Sequence, residues 1–302
     1  MANTEVMHNC FVLNDPISDI ATGISSEQFS AAHSGWASLK EQEWSKGTCS
    51  SFSADCCYLP NFPANIYLCG DCSSTLDIAK VFNEKQLLNE WDSILGLRQN
   101  SGRGQLRREW NSPEGNIYAT IRLPASGFFA NELGSLVIGY LLTKALQQLG
   151  YNAHIKWPND ILIDNTKIGG ILLEERAGVL VAGIGLNVHS SPPDTCLRSE
   201  WAVPANSLCK KGQYLPLLQM WQTLVDHIHF CYNAQVVRYT TAKLISSVEK
   251  QLAWLGREVW IHGSDLVNRS GRIMGISQQG GLTILQSDGE KTLYSGSVSL
   301  RS

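Results

Sequence analysis

The pattern of hydrophobic and polar positions divides the chain into three zones. The first, residues 1 to 64, is rich in Ser, Ala and Cys and has weak periodicity. The element that it predicts is a helix over Ser25–Leu39, because Ser25 can act as N-cap and Gln28 follows three residues later, as in a capping box. A helix-turn-helix module would need three amphipathic helices and a basic recognition face, and this pattern does not provide them.

The second zone, residues 65 to 252, alternates between strand and helix patterns. The predicted strands are Ile66–Cys69, Asn116–Leu123, Ala153–Lys156, Ile161–Asp164, Lys167–Glu174 and Val179–Val188. The predicted helices are Leu76–Asp92, Asn131–Leu149, Tyr214–Tyr232 and Thr240–Trp254. Ser74 or Thr75 is expected to cap the first of these helices, and Gly150 to end the second. Gln99–Trp110 is polar and rich in Gly and Arg, which predicts a loop.

The third zone, residues 253 to 302, changes to short strands separated by glycine turns. The predicted strands are Val259–His262, Ser270–Ile276, Gly281–Gln286 and Glu290–Tyr294. This spacing is typical of a small β-barrel. Because so short a segment builds only a weak core of its own, we expect it to pack on the second zone.

Composition narrows the class of protein. Of the 302 residues, 43% are hydrophobic and 17% charged, and 24 basic against 27 acidic residues give a net charge of −3. This balance predicts no general attraction to nucleic acid or anionic lipid. No apolar stretch reaches the roughly 20 residues that a membrane-spanning helix needs. With no signal-peptide pattern at the N-terminus, the expectation is a cytoplasmic protein.

Nine cysteines are many for such a chain. Cys69 and Cys72 have the C-x-x-C spacing that can hold zinc or form a redox disulfide. The cluster from Cys49 to Cys72 lacks a second such pair, and the total is odd, so reduced thiols are the favoured interpretation.

The first candidate for chemistry is the loop Gln99–Trp110. Four arginines fall within eleven residues: Arg98, Arg103, Arg107 and Arg108. Gly102 and Gly104 allow the backbone to approach a ligand closely, and arginine can clamp a phosphate or carboxylate with two hydrogen bonds. Such a loop can close over a nucleotide-like anion and exclude water. The alternative is a solvated surface loop, and the segment has neither the Walker A nor the G-x-G-x-x-G pattern.

Three other segments have both a functional and a structural interpretation. Lys156, in KWPND, stands at a strand end and can neutralise an anion, although the segment can equally be an ordinary turn. Glycines inside the strand Gly183–Val188 indicate close approach of a ligand or of another backbone, and Asn187 needs a polar partner there. Ser73-Ser74-Thr75 can bind a small polar ligand at a helix start or simply cap that helix.

Taken together and in this order, these segments resemble the biotin protein ligase family. The family pattern has a Ser-Thr-Asn turn followed by GRGRxxRxW, SPxGNxY, KWPND, KxxGIL(V/L)E and GIGxNV. The corresponding segments are Ser74-Thr75-Leu76, Gly102–Trp110, Ser112–Tyr118, Lys156–Asp160, Lys167–Glu174 and Gly183–Val188. The tail, Gly256–Val259 and Tyr294–Arg301, is similar to the family's C-terminal barrel. The resemblance covers residues 65–302, and six ordered motifs make it specific.

The resemblance implies a two-step ligase. ATP, Mg²⁺ and biotin would form biotinyl-5′-adenylate and pyrophosphate. A lysine on the biotin carboxyl carrier domain of a biotin-dependent carboxylase would then attack the mixed anhydride, so this chain needs no Ser or Cys nucleophile. Neither DNA nor a membrane is an expected partner, and a homodimer is left open. The implied architecture is α+β, with a mixed, largely antiparallel sheet flanked by helices and an SH3-like barrel at the C-terminus.

The resemblance also assigns roles to residues. Lys156 and Arg103 are the implied catalytic residues: Lys156 would contact the biotin carboxylate and the α-phosphate, and Arg103 would line the loop over the adenylate. The implied substrate-binding residues are Ser74, Thr75, Leu76, Gln99, Arg103, Gly104, Gln105 and Lys156. The implied adenylate-binding residues are Gly102, Trp110 and Asn187. No metal ligand of the protein is implied.

Two departures from the family pattern affect this interpretation. Gln105 stands where the family has a second loop arginine, which suggests that the adenylate is held loosely or that Arg107 or Arg108 replaces it. Leu76 replaces the usual Asn. A lipoate ligase is the nearest alternative, but its Arg-Arg-x-Ser-Gly-Gly-Gly stretch is missing. A non-catalytic module that binds biotin or its adenylate is a further alternative, and a transcriptional repressor is disfavoured by the first 64 residues.

Overall fold

The computed structural model describes residues 8–105, 108–193, 195, 203–209, 214–263 and 270–301. The strands run as β1 (His8–Leu13), β2 (Ser45–Cys49), β3 (Phe52–Leu59), β4 (Ile66–Cys72), β5 (Ser93–Gln99), β6 (Ile117–Leu123), β7 (Ala153–Lys156), β8 (Asp160–Ile163), β9 (Thr166–Arg176), β10 (Val179–Leu186), β11 (Glu258–His262), β12 (Ser270–Ile276), β13 (Leu282–Gln286), β14 (Gly289–Leu293) and β15 (Ser297–Leu300). The α-helices are α1 (Ser26–Ala32), α2 (Thr75–Glu84), α3 (Gly134–Gln148), α4 (Leu217–Ala234) and α5 (Thr241–Glu249).

The described chain forms two compact units. The first consists of the described residues within 1–125, 172–190 and 207–229, and the second of those within 126–171, 191–206 and 230–302. The division into zones at 64/65 and 252/253 remains a prediction. None of the described helices is long and apolar enough to cross a membrane.

The first unit contains a mixed sheet with the strand order β2-β3-β1-β4-β5-β6-β10. β4 pairs in parallel with β1 and β5, and the other neighbours are antiparallel. Helix α2 contacts β5, β6 and β10. Aromatic residues of the sheet and of α2 share one buried cluster, in which Tyr67 meets Phe82 edge to face. The predicted mixed, largely antiparallel sheet flanked by helices is confirmed.

The second unit contains β7, β8 and the start of β9, which pair antiparallel, and a five-stranded antiparallel sheet in the order β14-β13-β12-β11-β15. The Trp157 indole donates to the carbonyl of Gly280 at 3.0 Å, and the peptide bond Trp157–Pro158 is cis. Ile276 N donates to the carboxylate of Glu249 at 2.9 Å. The C-terminal strands are therefore confirmed and are packed within this unit, although among the described residues β14 and β15 do not pair with each other.

Most predicted elements are confirmed, and the exceptions have local causes. Helix α1 starts with the predicted capping box at Ser25 but ends at Ala32, because His33 is extended and a 3-10 helix over Ser34–Glu41 follows. Helix α2 ends at Glu84, and Gln86 has a positive φ, so the prediction of a helix as far as Asp92 was wrong. Strands β5 and β15 and the three strands within residues 1–64 were not predicted.

Candidate active site

The turn that opens α2 gathers hydroxyl and amide groups in the first unit. Ser74 is the N-cap and accepts a hydrogen bond from the backbone of Leu76 at 3.4 Å. The Gln99 side-chain oxygen accepts from Thr75 N at 3.0 Å and from the hydroxyls of Ser74 and Thr75 at 3.3 Å each. Its amide nitrogen donates to Ser112 Oγ at 3.0 Å. Gln99 therefore fixes the orientation of both hydroxyls, which are buried.

The glycine-arginine loop forms a narrow hairpin. Gly104 N donates to the carbonyl of Arg108 at 2.7 Å, and Trp110 N donates to the carbonyl of Gly102 at 2.8 Å. A Cβ on Gly102 would lie 2.5 Å from the carbonyl oxygen of Trp110, so this close approach of the two backbones requires glycine. Gln105 is half-buried near the tip, and its carbonyl accepts from Arg108 N at 3.2 Å. Arg107 lies outside the described residues.

Arg103 is linked to the start of α2 by charge. Its guanidinium donates to Asp77 Oδ1 at 2.8 Å and lies 4.0 Å from Glu174 Oε1. The other oxygen of Asp77 accepts from the Ser73 hydroxyl at 2.7 Å. Asp77 thus joins the loop to the Ser73–Thr75 turn. Sequence analysis did not select Asp77, although a carboxylate in the first turn of a helix was a usable signal.

The two glycines of β10 explain the positions of Trp110 and Leu76. A Cβ on Gly185 would lie 2.5 Å from the Trp110 ring, and a Cβ on Gly183 would lie 3.1 Å from the Leu76 side chain. The groups that approach these glycines are side chains of the loop and of α2, whereas the sequence predicted a ligand or another backbone. Leu76, in the place of the family's Asn, therefore covers the backbone of β10.

Asn187 follows β10 and is 3% exposed. Its backbone carbonyl accepts from Leu208 N at 2.9 Å. Beside it, Asn116 accepts backbone hydrogen bonds from Val188 at 2.8 Å and His189 at 3.0 Å, which fixes the chain directly after Asn187. Asn116 belongs to the SPxGNxY motif but was not selected as a site residue. Its place as the asparagine of that motif was the available signal.

Lys156 ends β7 in the second unit. Its side chain is 4% exposed, and Nζ donates to Asp160 Oδ2 at 2.9 Å and to Ser297 Oγ at 3.0 Å. Lys167 Nζ lies 2.6 Å from the other oxygen of Asp160. Burial would raise the pKa of the Asp160 carboxyl, but the charges of Lys156 and Lys167 outweigh it and hold that pKa well below its usual range. Asp160 therefore stays ionised and fixes Lys156.

A histidine near this lysine has a lowered pKa. His262 shares a 2.8 Å hydrogen bond with Ser299 Oγ, and both lie on the strand pair that carries Ser297. Burial and, secondly, the positive charge of Lys156 lower the pKa of His262. Neither Ser297 nor His262 was predicted, because both lie far along the chain from Lys156.

Comparison with known proteins identifies the family. A sequence model of the biotin/lipoate A/B protein ligase family matches residues 71–191, which include the turn, the loop, Lys156 and Asn187. A biotin–[acetyl-CoA-carboxylase] ligase of Paracoccus denitrificans is 31% identical over 186 residues, which cover 59% of this chain and 75% of that protein. This chain belongs to the biotin/lipoate A/B protein ligase family. The resemblance inferred from the six motifs is confirmed.

Other members of the family agree in sequence and in fold. The bifunctional ligase/repressor BirA of Bacillus subtilis is 28% identical over 222 residues, which cover 68% of this chain. The chain spans 65% of the length of that relative, less than two thirds of it. The crystal structure of the biotin protein ligase from Aquifex aeolicus in complex with biotin and ATP matches with a TM-score of 0.64 and 27% identity. That match covers 78% of this chain and 98% of the Aquifex chain.

The structure thus brings several predicted site residues together within the first unit. In the first unit, Gln99 is hydrogen-bonded to Ser74 and Thr75. The Trp110 ring packs against Gly185 of β10, the strand that Asn187 follows. Gly102, Arg103, Gly104 and Gln105 lie on one hairpin with Trp110. Lys156 belongs to the second unit and has its own partners there. The described cysteines are free thiols, including Cys69 and Cys72.

Proposed function

We propose that the protein is an ATP-dependent biotin protein ligase. In the first step a biotin carboxylate oxygen attacks the α-phosphorus of ATP, the bond to the β-phosphate breaks, and pyrophosphate leaves. In the second step the neutral amine of a carrier lysine attacks the acyl carbon of biotinyl-5′-adenylate, so that an amide forms and AMP leaves. The matched relatives from Paracoccus denitrificans and Aquifex aeolicus, named as biotin ligases, support this assignment.

The observation that carries the proposal is the buried ammonium of Lys156. A buried lysine is uncommon, and this one is held by Asp160 and Ser297 within the KWPND motif. The first step brings a carboxylate against a polyphosphate, so a fixed positive charge lowers the repulsion and stabilises the charge of the transition state. We propose that Lys156 contacts the biotin carboxylate and the α-phosphate in this way.

We propose that the turn of α2 recognises biotin. The ureido ring has two N–H donors and one carbonyl acceptor. The Ser74 and Thr75 hydroxyls donate to Gln99 and accept from Leu76 N and from the Thr120 hydroxyl, respectively. One lone pair on each hydroxyl therefore remains, in a fixed direction, for a ureido N–H. Leu76 would pack against the apolar part of the ligand, and Arg103, Gly104 and Gln105 would close the loop over it.

We propose that Gly102, Trp110 and Asn187 border the adenylate. Trp110 lies flush against Gly185, so its ring offers a flat apolar surface beside the loop. The ion pair of Arg103 with Asp77 is partly exposed, with the Arg103 side chain 37% exposed, and such pairs are weak enough to exchange partners. Arg103 would then turn from Asp77 to the phosphate of the intermediate.

Magnesium would enter with the nucleotide. Among the described residues no three His, Cys, Asp or Glu side chains converge as a metal site. Mg²⁺ keeps several waters and usually binds through substrate phosphates and one or two carboxylates, which agrees with an ion carried by ATP. It supplies charge neutralisation on the leaving pyrophosphate.

The partner that we propose is the biotin carboxyl carrier domain of a biotin-dependent carboxylase, with which the name of the Paracoccus relative agrees. We also propose that the C-terminal sheet closes as an SH3-like barrel. The cytoplasmic location, the lack of a DNA or membrane partner, and a homodimer remain predictions.

The test is a coupled assay with ATP, Mg²⁺ and biotin, run with and without an apo carrier domain. We expect pyrophosphate release and labelling of the carrier, and a loss of about 100-fold or more in Lys156→Gln, the size found when one group that stabilises transition-state charge is removed. Labelling with lipoate but not biotin would assign a lipoate ligase. Binding of biotin without pyrophosphate would make the protein a non-catalytic module and would contradict the role of Lys156.

A further inference from the structure

A segment ahead of the family-matched region reaches the ligand-binding turn. Residues 17–24, here called the N-terminal strap, follow β1 and fold into a tight loop in which Ile17 N donates to the carbonyl of Ala21 at 2.9 Å. The C-terminal end of the strap is anchored to the end of β1. Ile24 N donates to the carbonyl of Leu13 at 2.9 Å, and the Asn14 side chain donates to the carbonyl of Ile24 at 3.0 Å.

The strap runs along the end of β4. Thr22 N donates to the carbonyl of Asp71 at 2.8 Å, and Gly70 N donates to the carbonyl of Thr22 at 3.2 Å. Ser73 N donates to the carbonyl of Ile20 at 2.7 Å. The strap therefore holds the backbone from Gly70 to Ser73, directly before the Ser74–Thr75 turn.

Ser73 transmits this support to both walls of the site. Its carbonyl accepts from Ser101 N at 2.9 Å, at the start of the glycine-arginine loop. Its hydroxyl donates to Asp77, which in turn pairs with Arg103. The strap thus holds Ser73 through its N–H, and Ser73 holds the loop through its carbonyl and its hydroxyl.

Gly70 allows the strap to lie this close. A Cβ on Gly70 would lie 2.3 Å from Thr22 Oγ1 and 3.0 Å from the Thr22 carbonyl oxygen, contacts that force the strap away. The family match begins at residue 71, so the strap lies outside it. Nothing in the motifs of the ligase assigns a role to these residues.

We propose that the N-terminal strap is a positioning element for the biotin-binding turn and, through Ser73, for the arginine loop. This inference rests on the proposed function. A helix N-terminus and a flexible loop recognise a ligand well only when their backbones are held in the binding geometry before the ligand arrives. The three backbone hydrogen bonds from the strap supply that constraint without contacting the ligand.

The test compares Gly70→Ala with the wild type, with Gly47→Ala as the matched control. Gly47 lies on β2 in the same N-terminal part of the chain, and a Cβ there would meet only Cys56, at 3.0 Å. We expect Gly70→Ala to raise KM for biotin about tenfold, the equivalent of one hydrogen bond of about 1.4 kcal/mol, with a smaller rise in KM for ATP because the strap reaches the arginine loop only through Ser73. Gly47→Ala should leave both values unchanged.

A second substitution separates positioning from a general loss of stability. In the Gly70→Ala background, Thr22→Ala removes the nearest clashing atom, so we expect KM for biotin to return most of the way to the wild-type value. An equal rise in both KM values, or a defect that Thr22→Ala does not relieve, would overturn the strap's role.

Hydrogen exchange tests the strap independently of activity. In the protein without ligands, Gly70→Ala should speed amide exchange at Ser73 and Ser101 and not in β2, whereas Gly47→Ala should not affect either serine. Unchanged exchange at these serines would overturn the proposal. A wild type that forms no pyrophosphate from ATP and biotin would overturn the proposed ligase function instead, and exchange at Ser73 and Ser101 would still decide whether the strap holds the turn.

Discussion

At the scale of single side chains, the two residues that we propose for catalysis differ in their environments. These residues are Lys156 and Arg103. Lys156 is 4% exposed and has two fixed partners, so its ammonium is oriented before any ligand binds. Arg103 is 37% exposed, and its ion pair with Asp77 is of the kind that contributes about 0 to 1 kcal/mol. Lys156 is therefore suited to a fixed role and Arg103 to one that begins when the loop closes.

Gln105 gives a prediction at the same scale. Replacing it with arginine places a guanidinium near the tip of the loop, where a charge-assisted hydrogen bond to the adenylate would contribute about 1.5–3 kcal/mol. We expect Gln105→Arg to slow the release of biotinyl-5′-adenylate by about tenfold or more. The measurement is loss of labelled adenylate after a chase with unlabelled biotin.

The control for this prediction is Gln105→Leu, which keeps a similar volume but has no donor. It should not slow release. Equal release rates in the wild type and in Gln105→Arg would show that the natural glutamine does not weaken retention.

At the scale of elements, the helix and strand boundaries follow local signals where those signals are strong. Ser74 was predicted as a possible cap of α2 and is its N-cap. The turns at Asp164-Asn165 and Ala177-Gly178 have the positive φ values that tight hairpins need. The end of α2 was misplaced because Leu87, whose apolar character extended the helical pattern, packs partly buried against the core of the first unit without being helical.

The glycines of β10 give a matched pair of substitutions. Gly185→Ala would press a methyl group against the rigid Trp110 ring at 2.5 Å, whereas Gly183→Ala would meet the flexible Leu76 side chain at 3.1 Å. Overpacking a tight contact costs about 1–3 kcal/mol. We therefore expect Gly185→Ala to lower the free energy of unfolding by this amount and to weaken adenylate binding.

Urea unfolding and adenylate affinity measure these two effects, with Gly183→Ala as the control. A smaller loss is expected for Gly183→Ala, because Leu76 can change rotamer. If both variants lost the same stability and affinity, the contact between Trp110 and Gly185 would not be what requires glycine on this strand.

At the scale of the whole molecule, residues 8–64 contribute three strands to the sheet of the first unit. β1 lies between β3 and β4 in the sheet, and the fully buried Trp36 packs edge to face on Phe29. His33 caps the 3-10 helix by accepting from Gly35 N at 2.9 Å, and its ring lies 4.9 Å from the ring of His189. The free energy of unfolding of this unit should therefore change when N-terminal residues are substituted.

The lowered pKa of His33 predicts how the stability of the protein depends on pH. Burial and, secondly, the charge of His189 lower the pKa of His33 below 6.5, while Glu114 acts weakly in the opposite direction. As pH falls below about 6.5, the unfolded chain takes up the proton before the folded protein does, so the free energy of unfolding decreases. The loss begins near the unfolded pKa and continues down to the folded one.

The measurement is urea unfolding of the wild type and of His33→Asn at pH 8 and pH 5.5. Asparagine can also cap the 3-10 helix but does not titrate, so the decrease in stability between the two pH values should be smaller in the variant. At pH 8 the two proteins should be similar. An identical decrease in both would mean that His33 does not contribute to acid sensitivity.

The sequence by itself determined the order of motifs, the family, most strands and helices from residue 65 onwards, and the glycines at which other groups approach closely. These features depend on residue type and short-range spacing, which are visible in a linear pattern. The exposed, polar β2 gave little periodicity, so it was not recognised as a strand.

Tertiary structure alone decided which groups hold the site residues. Ser297 reaches Lys156 from 141 positions along the chain, Asp77 pairs with Arg103 from the start of α2, and Ile20 binds Ser73 from the N-terminal strap. A local pattern cannot encode these contacts, because their partners come together only when separate strands and loops pack into a unit and bury their polar groups beside one another.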